Sequence, residues 1–175
     1  DYEAAADADT VVNLTNHTYF NLNGAGSGDI CSHTLRVGAE RVTEVDAHLI
    51  PTGCLLPVAG TALDLRQDVP LGSVVDAPEL AAAGGLDHNF CLDGNGLRSV
   101  ALLHAPESGI RMETLTTLEG VQIYTGNGIT EMHGKDGKTY HRRGAVCLET
   151  QHYPDAVNHP EFPSAILKQG ETYRE

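Results

Sequence analysis

The chain has no tryptophan, two methionines and few aromatic residues of any kind. No apolar stretch approaches the roughly 20 residues that a membrane-spanning helix needs, and no charged segment followed by an apolar one opens the sequence. We therefore predict neither a membrane span nor a signal peptide, and a cytoplasmic location is the default expectation. Two glycosylation sequons, at Asn13 and Asn16, argue weakly the other way, because such triplets often arise by chance.

Basic residues are scarce: 11 lysines and arginines stand against 24 aspartates and glutamates, which gives a formal net charge of −13. A surface field of this sign repels nucleic-acid phosphates and anionic lipid headgroups, so we expect neither as a partner. The four cysteines are widely separated, and no CxxC pair occurs. Spacing this wide indicates reduced, mostly buried thiols rather than a disulfide scaffold; the four are Cys31, Cys54, Cys91 and Cys147.

Most sequence motifs of cofactor and nucleophile chemistry are missing. There is no GxSxG elbow, no phosphate-binding GxxxxGK loop, and no GxGxxG ahead of a helical pattern. The nine histidines show no zinc spacing. His152 and His159 lie seven residues apart across Pro154, which we interpret as chance scatter, so no metal site is predicted.

What the sequence does contain is a series of short runs rich in β-branched and aromatic residues, separated by turn signals such as Asp93-Gly94-Asn95-Gly96. At 175 residues the chain suits one domain. Many short strands at this spacing predict an all-β fold, an antiparallel sandwich or a barrel-like sheet. The predicted runs are Val11–Leu22, Thr34–Val45, Phe90–Leu92, Leu97–His104, Arg111–Thr117, Val121–Thr125 and Ala145–Gln151.

Helical signals are confined to one place. Pro78 in a first turn, Glu79–Ala83 as a body and Gly84 as a stop predict one brief helix. The prolines and glycines of residues 51–67 predict a long ordered loop. The final ETYRE resembles a strand cut midway after a turn at Gly170, which suggests a fragment.

Alternation of side chains along three of the runs separates an apolar face from a polar one. His17 lies on the polar side of its run, Gln122 faces away from its apolar neighbours, and Glu149 does the same in its run. If these faces join in one sheet, they form a surface of neutral hydrogen-bonding groups with one imidazole and one carboxylate. Such a surface suits a neutral polyhydroxylated ligand, although the wet face of any half-solvated antiparallel sheet alternates in the same way.

Two of these side chains could work as a proton-transfer pair. Reference pKa values near 6.5 for histidine and about 4.3 for glutamate let His17 donate and Glu149 accept a proton near neutrality. A lone histidine on a strand can equally be structural. Asp87, where a loop enters a strand, can be a functional group or a turn former that bonds its own backbone.

Six motifs in this order resemble the second half of the aldose 1-epimerase (galactose mutarotase) family. They are NLTNHTYFNLNG, IPTG, GTALDLR, LDHNF, GVQIYTGN and LETQHYPDAVNHPEFPSAIL, and the resemblance runs from about Val12 to Gly170. It implies a large antiparallel β-sandwich of which residues 1–175 are the C-terminal part. It also implies interconversion of the α and β anomers of free hexoses such as galactose and glucose, without any cofactor or metal.

The resemblance assigns a role to each of four residues. Glu149 corresponds to the family's general base, which takes the proton from the anomeric hydroxyl. His17 corresponds to the general acid, which protonates the ring oxygen. Asp87 and Gln122 correspond to ligands of the sugar hydroxyls.

The chain departs from the family in length, because family members are about twice as long. Their first half supplies a second site histidine and an Asn-Arg pair, so that half is an expected partner and the isolated piece is expected to be poorly active. Two rival functions stay open: a sugar-binding module without turnover, and a glycosidase that uses Asp87 and Glu149 as its carboxylate pair.

Overall fold

The structure is a computed structural model that describes residues 1–175, and nearly all of its regular structure is β. No helix in it has the length and apolar character needed to cross a membrane. The strands are β1 (Glu3–Ala5), β2 (Thr10–Val11), β3 (Thr34–Val37), β4 (Ala39–Val45), β5 (Pro51–Pro57), β6 (Val69–Pro70), β7 (Asp87–Leu92), β8 (Arg98–His104), β9 (Arg111–Thr116), β10 (Gly120–Tyr124), β11 (Met132–His133), β12 (Thr139–Tyr140), β13 (Cys147–Gln151), β14 (Ile166–Leu167) and β15 (Thr172–Arg174). The helical turns are all 3₁₀: Leu71–Ser73, Pro78–Leu80, Lys135–Gly137 and Ala156–Asn158.

Two antiparallel sheets form the body of the fold. One has five strands in the order β13-β10-β7-β4-β5, and the other has four in the order β6-β3-β8-β9. Side chains from both sheets join one apolar core, for example Phe90 and Ile123 from the first and Leu35 and Leu103 from the second. Burying such faces against each other is what stabilises a β-sandwich, so the predicted all-β sandwich is confirmed.

The run Thr34–Val45 was predicted as a single strand, and this is wrong. It contains β3 and β4, which belong to different sheets, and the chain crosses between them at Gly38. The Gly38 N–H bonds the carbonyl of Val100, while the Val37 N–H bonds the carbonyl of Leu65. The apolar residues continue through the crossing because both strands face the same core.

The long loop predicted for residues 51–67 is also wrong in its first part, since Pro51–Pro57 is the edge strand β5, paired with β4. Proline is tolerated at an edge because one side of the strand needs no ladder hydrogen bonds. Gly53 adopts a positive φ of 90°, and the register shifts between Thr43 and Val45. These features resemble loop signals in the sequence although they lie within a strand.

The helix predicted over Glu79–Ala83 is reduced to the 3₁₀ turn Pro78–Leu80, followed by turns. Its preceding residue, Ala77, has no side chain that could cap the first N–H groups. Gly84 and Gly85 then take positive φ values of 69° and 148°, which end any helical conformation. A single turn is too short to persist without such caps.

The four cysteines are free, as predicted. Cys91 and Cys147 are buried and Cys31 is partly so, but Cys54 is exposed on β5. The prediction of mostly buried thiols is therefore correct for only part of the set.

Candidate active site

The polar face of the five-stranded sheet is set by its register. β10 lies between β13 and β7, and Gln122 stands opposite Glu149 on one side and Asn89 on the other. Because side chains alternate across a strand, Gln122, Glu149 and Asp87 point to the same face. Val121 and Ile123 point to the core and are fully buried, so the face division predicted for this strand is confirmed.

The run Val11–Leu22 was predicted as one strand, and this is wrong. Only Thr10–Val11 is a strand, and Phe20 forms an isolated bridge with Val146. The side chain of Asn16 accepts a hydrogen bond from the N–H of Thr18, and such local bonds compete with a sheet ladder. Residues 12–19 therefore belong to no strand, and they are held by a few specific contacts.

Side-chain bonds fix the start of this segment. Asn13 donates through its amide nitrogen to the carbonyl of His152 at 3.2 Å and accepts from the His152 N–H at 2.9 Å. His152 in turn contacts Glu119 through Nδ1 at 2.6 Å. The hydrogen bond to Glu119 is the largest cause that raises the pKa of His152. Asn13 thus attaches the segment to the end of β13.

Two further contacts fix the end of the segment. Phe20 and Val146 exchange both backbone hydrogen bonds at 2.9 Å. The N–H of Leu22 donates to Nε2 of His33 at 3.1 Å. Burial lowers the pKa of His33, which keeps the ring neutral and able to accept that bond. The segment is therefore fastened on both sides of His17.

These contacts bring His17 onto Glu149, with 3.3 Å between Nε2 and Oε1. The Glu149 side chain is 9% exposed and the His17 side chain 50%. Burial raises the pKa of Glu149, the nearby His17 opposes that shift, and the charge of Asp87 adds to it. The pair thus combines a sheltered carboxylate, which binds a proton more readily than usual, with an imidazole open to solvent.

Aromatic rings hold the imidazole in place. Tyr19 stacks on His17 with ring centroids 5.0 Å apart and an angle of 26° between the planes. Tyr124 meets the edges of both rings at 6.3 Å. Such contacts restrict the ring of His17 even though it is half exposed.

A second polar pair lies beside the first. Gln122 donates through Nε2 to Oδ1 of Asp87 at 2.7 Å, and Asp87 is the first residue of β7, at the loop-to-strand junction predicted from the sequence. The other amide atom of Gln122, Oε1, is buried and has no partner.

All four predicted site residues open onto one cleft of about 500 Å³, within the range of small-molecule sites. Five more residues line it, and none of them was predicted as a site residue. Four of the five stand on polar faces: Asn13, Tyr19, Tyr124 and Gln151. Pro154, the fifth, carries no sequence signal of its own. The fold and the cleft together define a β-sandwich protein with a polar cleft suited to a neutral, hydroxyl-rich ligand.

Comparison with known proteins agrees with this description. The sequence model of the family described as aldose 1-epimerase matches residues 1–175, and the chain belongs to that family. It is 47% identical to the galactose mutarotase of Rattus norvegicus, covering 98% of the chain and 50% of the relative. It is 36% identical to the aldose 1-epimerase of Haemophilus influenzae, covering 99% and 52%.

A solved structure gives the same result for the fold. The chain superposes on a crystal structure of an aldose epimerase homologue from C. elegans with a TM-score of 0.87 and 30% identity, covering 98% of the chain and 51% of that structure. The chain therefore spans about half the length of the relatives it matches.

Proposed function

We propose that this chain supplies the proton-transfer pair and two sugar ligands of an aldose 1-epimerase, which interconverts the α and β anomers of free hexoses such as galactose and glucose. The contact of His17 with Glu149 at 3.3 Å, inside the cleft that Asp87 and Gln122 also line, is the observation that carries the proposal. Relatives named galactose mutarotase and aldose 1-epimerase support it.

The mechanism follows from placing one hemiacetal carbon in front of both groups. Glu149 takes the proton from the hydroxyl on C1 while protonated His17 gives a proton to the ring oxygen, and the bond from C1 to that oxygen breaks. The open aldehyde rotates about its C1–C2 bond and closes on its other face, with the two proton transfers reversed. Both oxygens are attached to C1, so neighbouring acid and base groups can reach them together.

Asp87 and Gln122 would hold the ring during these steps. Their hydrogen bond of 2.7 Å fixes the carboxylate and the amide with respect to each other, and sugar hydroxyls can bond both. Holding a substrate in a reactive orientation can lower the activation barrier by about 7 kcal/mol or more when the orientation is good. No metal, cofactor or covalent intermediate is required by this scheme.

We further propose that residues 1–175 are the C-terminal part of one aldose 1-epimerase domain and that the first half of the family's fold is their partner. The chain spans about half of its relatives, and the side chain of His17, which lines the cleft, is 50% exposed. Additional sugar ligands from that first half would close the cleft. Without them, we expect weak sugar binding and slow turnover.

Two alternatives have specific consequences. A sugar-binding module without turnover is favoured by the half-length of the chain alone. A glycosidase would need the carboxylates of Asp87 and Glu149 to act on a glycosidic bond, although Asp87 is engaged by Gln122 and Glu149 by His17. The glycosidase scheme leaves His17 without a role, and the presence of both His17 and Glu149 favours the epimerase over the binding module.

Polarimetry tests the proposal directly. Freshly dissolved α-galactose should lose its excess rotation faster with the protein than without it, measured for the 175-residue chain and for the natural polypeptide that carries it. An unchanged rate in the natural polypeptide would contradict the proposal. Release of nitrophenol from an aryl galactoside would favour the glycosidase instead.

The pH dependence of turnover should report on Glu149. The base acts only when ionised, so the rate should fall on acidification through the pKa of Glu149, which burial places above its ordinary value of 4.5. Asp87→Asn removes a charge that raises this pKa, so the acid limb of kcat should move to lower pH. His17→Gln removes a charge that lowers the pKa of Glu149. In this variant the acid limb of the remaining activity should therefore move to higher pH.

Asp93→Asn offers a matched control, because Asp93 lies beyond the other end of β7 and does not line this cleft. Its pH profile should coincide with that of the wild type. An acid limb that stays in place in both Asp87→Asn and His17→Gln would contradict the assignment of Glu149 as the titrating base.

We also propose that the protein works in the cytoplasm, without nucleic acid or membrane as a partner. Four unpaired cysteines suit a reducing compartment, and the net charge of −13 disfavours binding to polyanions. Fractionation of cells that express the natural polypeptide would test the location.

A further inference from the structure

A third metal-ligating side chain, Cys147, lies next to the proton-transfer pair. It is fully buried, it does not line the cleft, and the proposed reaction does not use it. Cys147 stands two residues before Glu149 on β13 and therefore on the same face. The ligand atoms of Cys147, Glu149 and His17 all lie within 4.8 Å of one another. Burial is the main cause that raises the pKa of the Cys147 thiol to about 12, so the thiol stays protonated near neutrality and is a poor nucleophile.

The three groups match the preferences of a thiophilic divalent cation. Thiolate, imidazole and carboxylate are the usual ligands of Zn²⁺ in proteins. One thiolate and one carboxylate would balance the double positive charge of the ion, which matters because Cys147 and Glu149 are both buried. No other group of three histidine, cysteine or acidic side chains in the structure lies this close together.

The spacing of two of the three ligands already suits a metal ion. Two ligands bound to zinc at about 2.0 Å each in a tetrahedron are about 3.3 Å apart, and Nε2 of His17 is 3.3 Å from Oε1 of Glu149. The backbone of β13 fixes the spacing of Cys147 and Glu149, and the three ligand atoms lie at most 4.8 Å apart, so adjustment of side chains alone has to bring Sγ to the ion. Three protein ligands leave the fourth position of a tetrahedral ion open toward the cleft.

We propose that the cleft binds a second kind of ligand, a thiophilic divalent cation such as Zn²⁺ or Cd²⁺, held by Nε2 of His17, Sγ of Cys147 and a carboxylate oxygen of Glu149. On binding, the thiol gives its proton to solvent and sulfur takes the metal in its place. The cation also occupies the nitrogen that must carry a proton and the oxygen that must accept one. It therefore inhibits the epimerase reaction; this inhibition, unlike the cation site itself, rests on the proposed function.

Cadmium tests the site without any sugar. Titration of the tag-free chain with Cd²⁺ should produce thiolate-to-cadmium charge-transfer absorption in the ultraviolet that saturates at one equivalent, and Zn²⁺ should displace it. Cys147→Ala should abolish this absorption. Cys54→Ala is the matched control, because Cys54 is an exposed thiol away from the cleft, and it should keep the absorption in full.

Substitutions of the other two ligands test the cation site even if Cys147→Ala fails to fold. His17→Gln and Glu149→Gln keep the thiol but should each weaken the cation affinity by at least about ten-fold, the low end of what even the loss of an outer-shell partner costs. Absence of the absorption in the wild type, its survival in Cys147→Ala, or unchanged affinity in both His17→Gln and Glu149→Gln would overturn the proposal.

Polarimetry in the presence of zinc tests the inhibition. Zinc at a concentration that saturates the site should stop mutarotation by the wild-type natural polypeptide, whereas Cys147→Ala should keep most of its own zinc-free rate. Equal loss in both proteins, or a wild type that stays active with zinc bound, would contradict the inhibitory role. Absence of mutarotation before zinc is added would contradict the proposed function, and the cadmium titration decides the cation site separately.

Discussion

Replacement of Glu149 by glutamine should lower kcat for mutarotation by about 100-fold to 10,000-fold, the usual contribution of a positioned acid or base. The amide has the shape of the carboxylate and can still bond a sugar hydroxyl, but it cannot accept the proton of the anomeric hydroxyl. Sugar affinity should therefore change far less than turnover. Polarimetry gives the rate, and calorimetry with galactose gives the affinity.

The same variant should fold at least as well as the wild type near neutral pH. Burial raises the pKa of Glu149, so ionising this side chain costs the folded state free energy that the neutral amide does not. The contact with His17 offsets little of this cost, because one partner is half exposed. A rate loss together with an unchanged or higher Tm would locate the effect in the chemistry rather than in the fold.

Glu113→Gln is the matched control for the Glu149 variant. Glu113 is an exposed glutamate on β9, in the other sheet, and does not line the cleft, so its replacement should leave the rate of mutarotation unchanged. If Glu149→Gln turned galactose over at the wild-type rate, Glu149 would not be the base.

Replacement of Phe90 by alanine should lower the free energy of unfolding by about 3–5 kcal/mol, the range for truncating a core phenylalanine. Phe90 is 1% exposed and is among the largest fully buried side chains. It lies on the core face of β7, the strand that begins with Asp87. Because small domains are stable by only about 5–15 kcal/mol, the loss should show clearly in urea denaturation.

Leu115→Ala provides the comparison for the Phe90 variant. Leu115 is also an apolar strand residue, but it is 51% exposed on β9, and its truncation should cost less than about 1 kcal/mol because most of its surface is already in water. Equal losses in the two variants would mean that the apolar core between the sheets is not where most of the stability arises.

Much of the sandwich could be predicted because its strands alternate regularly. In β10 the apolar Val121 and Ile123 separate cleanly from Gln122, and the register then sets Gln122 opposite Glu149. Periodicity identifies such strands because one face must be buried and the other wet. Periodicity could not identify β5, because the prolines and Gly53 of this strand are residue types that also mark loops.

The structure places His17 in the cleft for a reason other than the predicted one. The prediction used alternation along a strand, yet residues 12–19 form no ladder. The side chain faces the cleft because Asn13 bonds His152 and because Phe20 pairs with Val146, contacts between residues more than a hundred positions apart. No local pattern encodes such contacts, so only the three-dimensional structure could give them.

The cleft itself required the structure for a related reason. The sequence gives no distance between His17 and Glu149, and their motifs suggest proximity only through the family resemblance. The proposed cation site needed the structure as well. Alternation along the strand puts Cys147 on the same face as Glu149, but its proximity to His17 becomes evident only when β13 and the His17 segment are assembled.

The central claim is that His17 and Glu149 act on one bound pyranose, and a crystal structure of the natural polypeptide with galactose tests it most directly. We expect Nε2 of His17 within hydrogen-bond distance of the ring oxygen and the Glu149 carboxylate within the same distance of the anomeric hydroxyl, with Asp87 and Gln122 on other hydroxyls. A galactose that touches only one of the two groups, or that binds outside this cleft, would contradict the account.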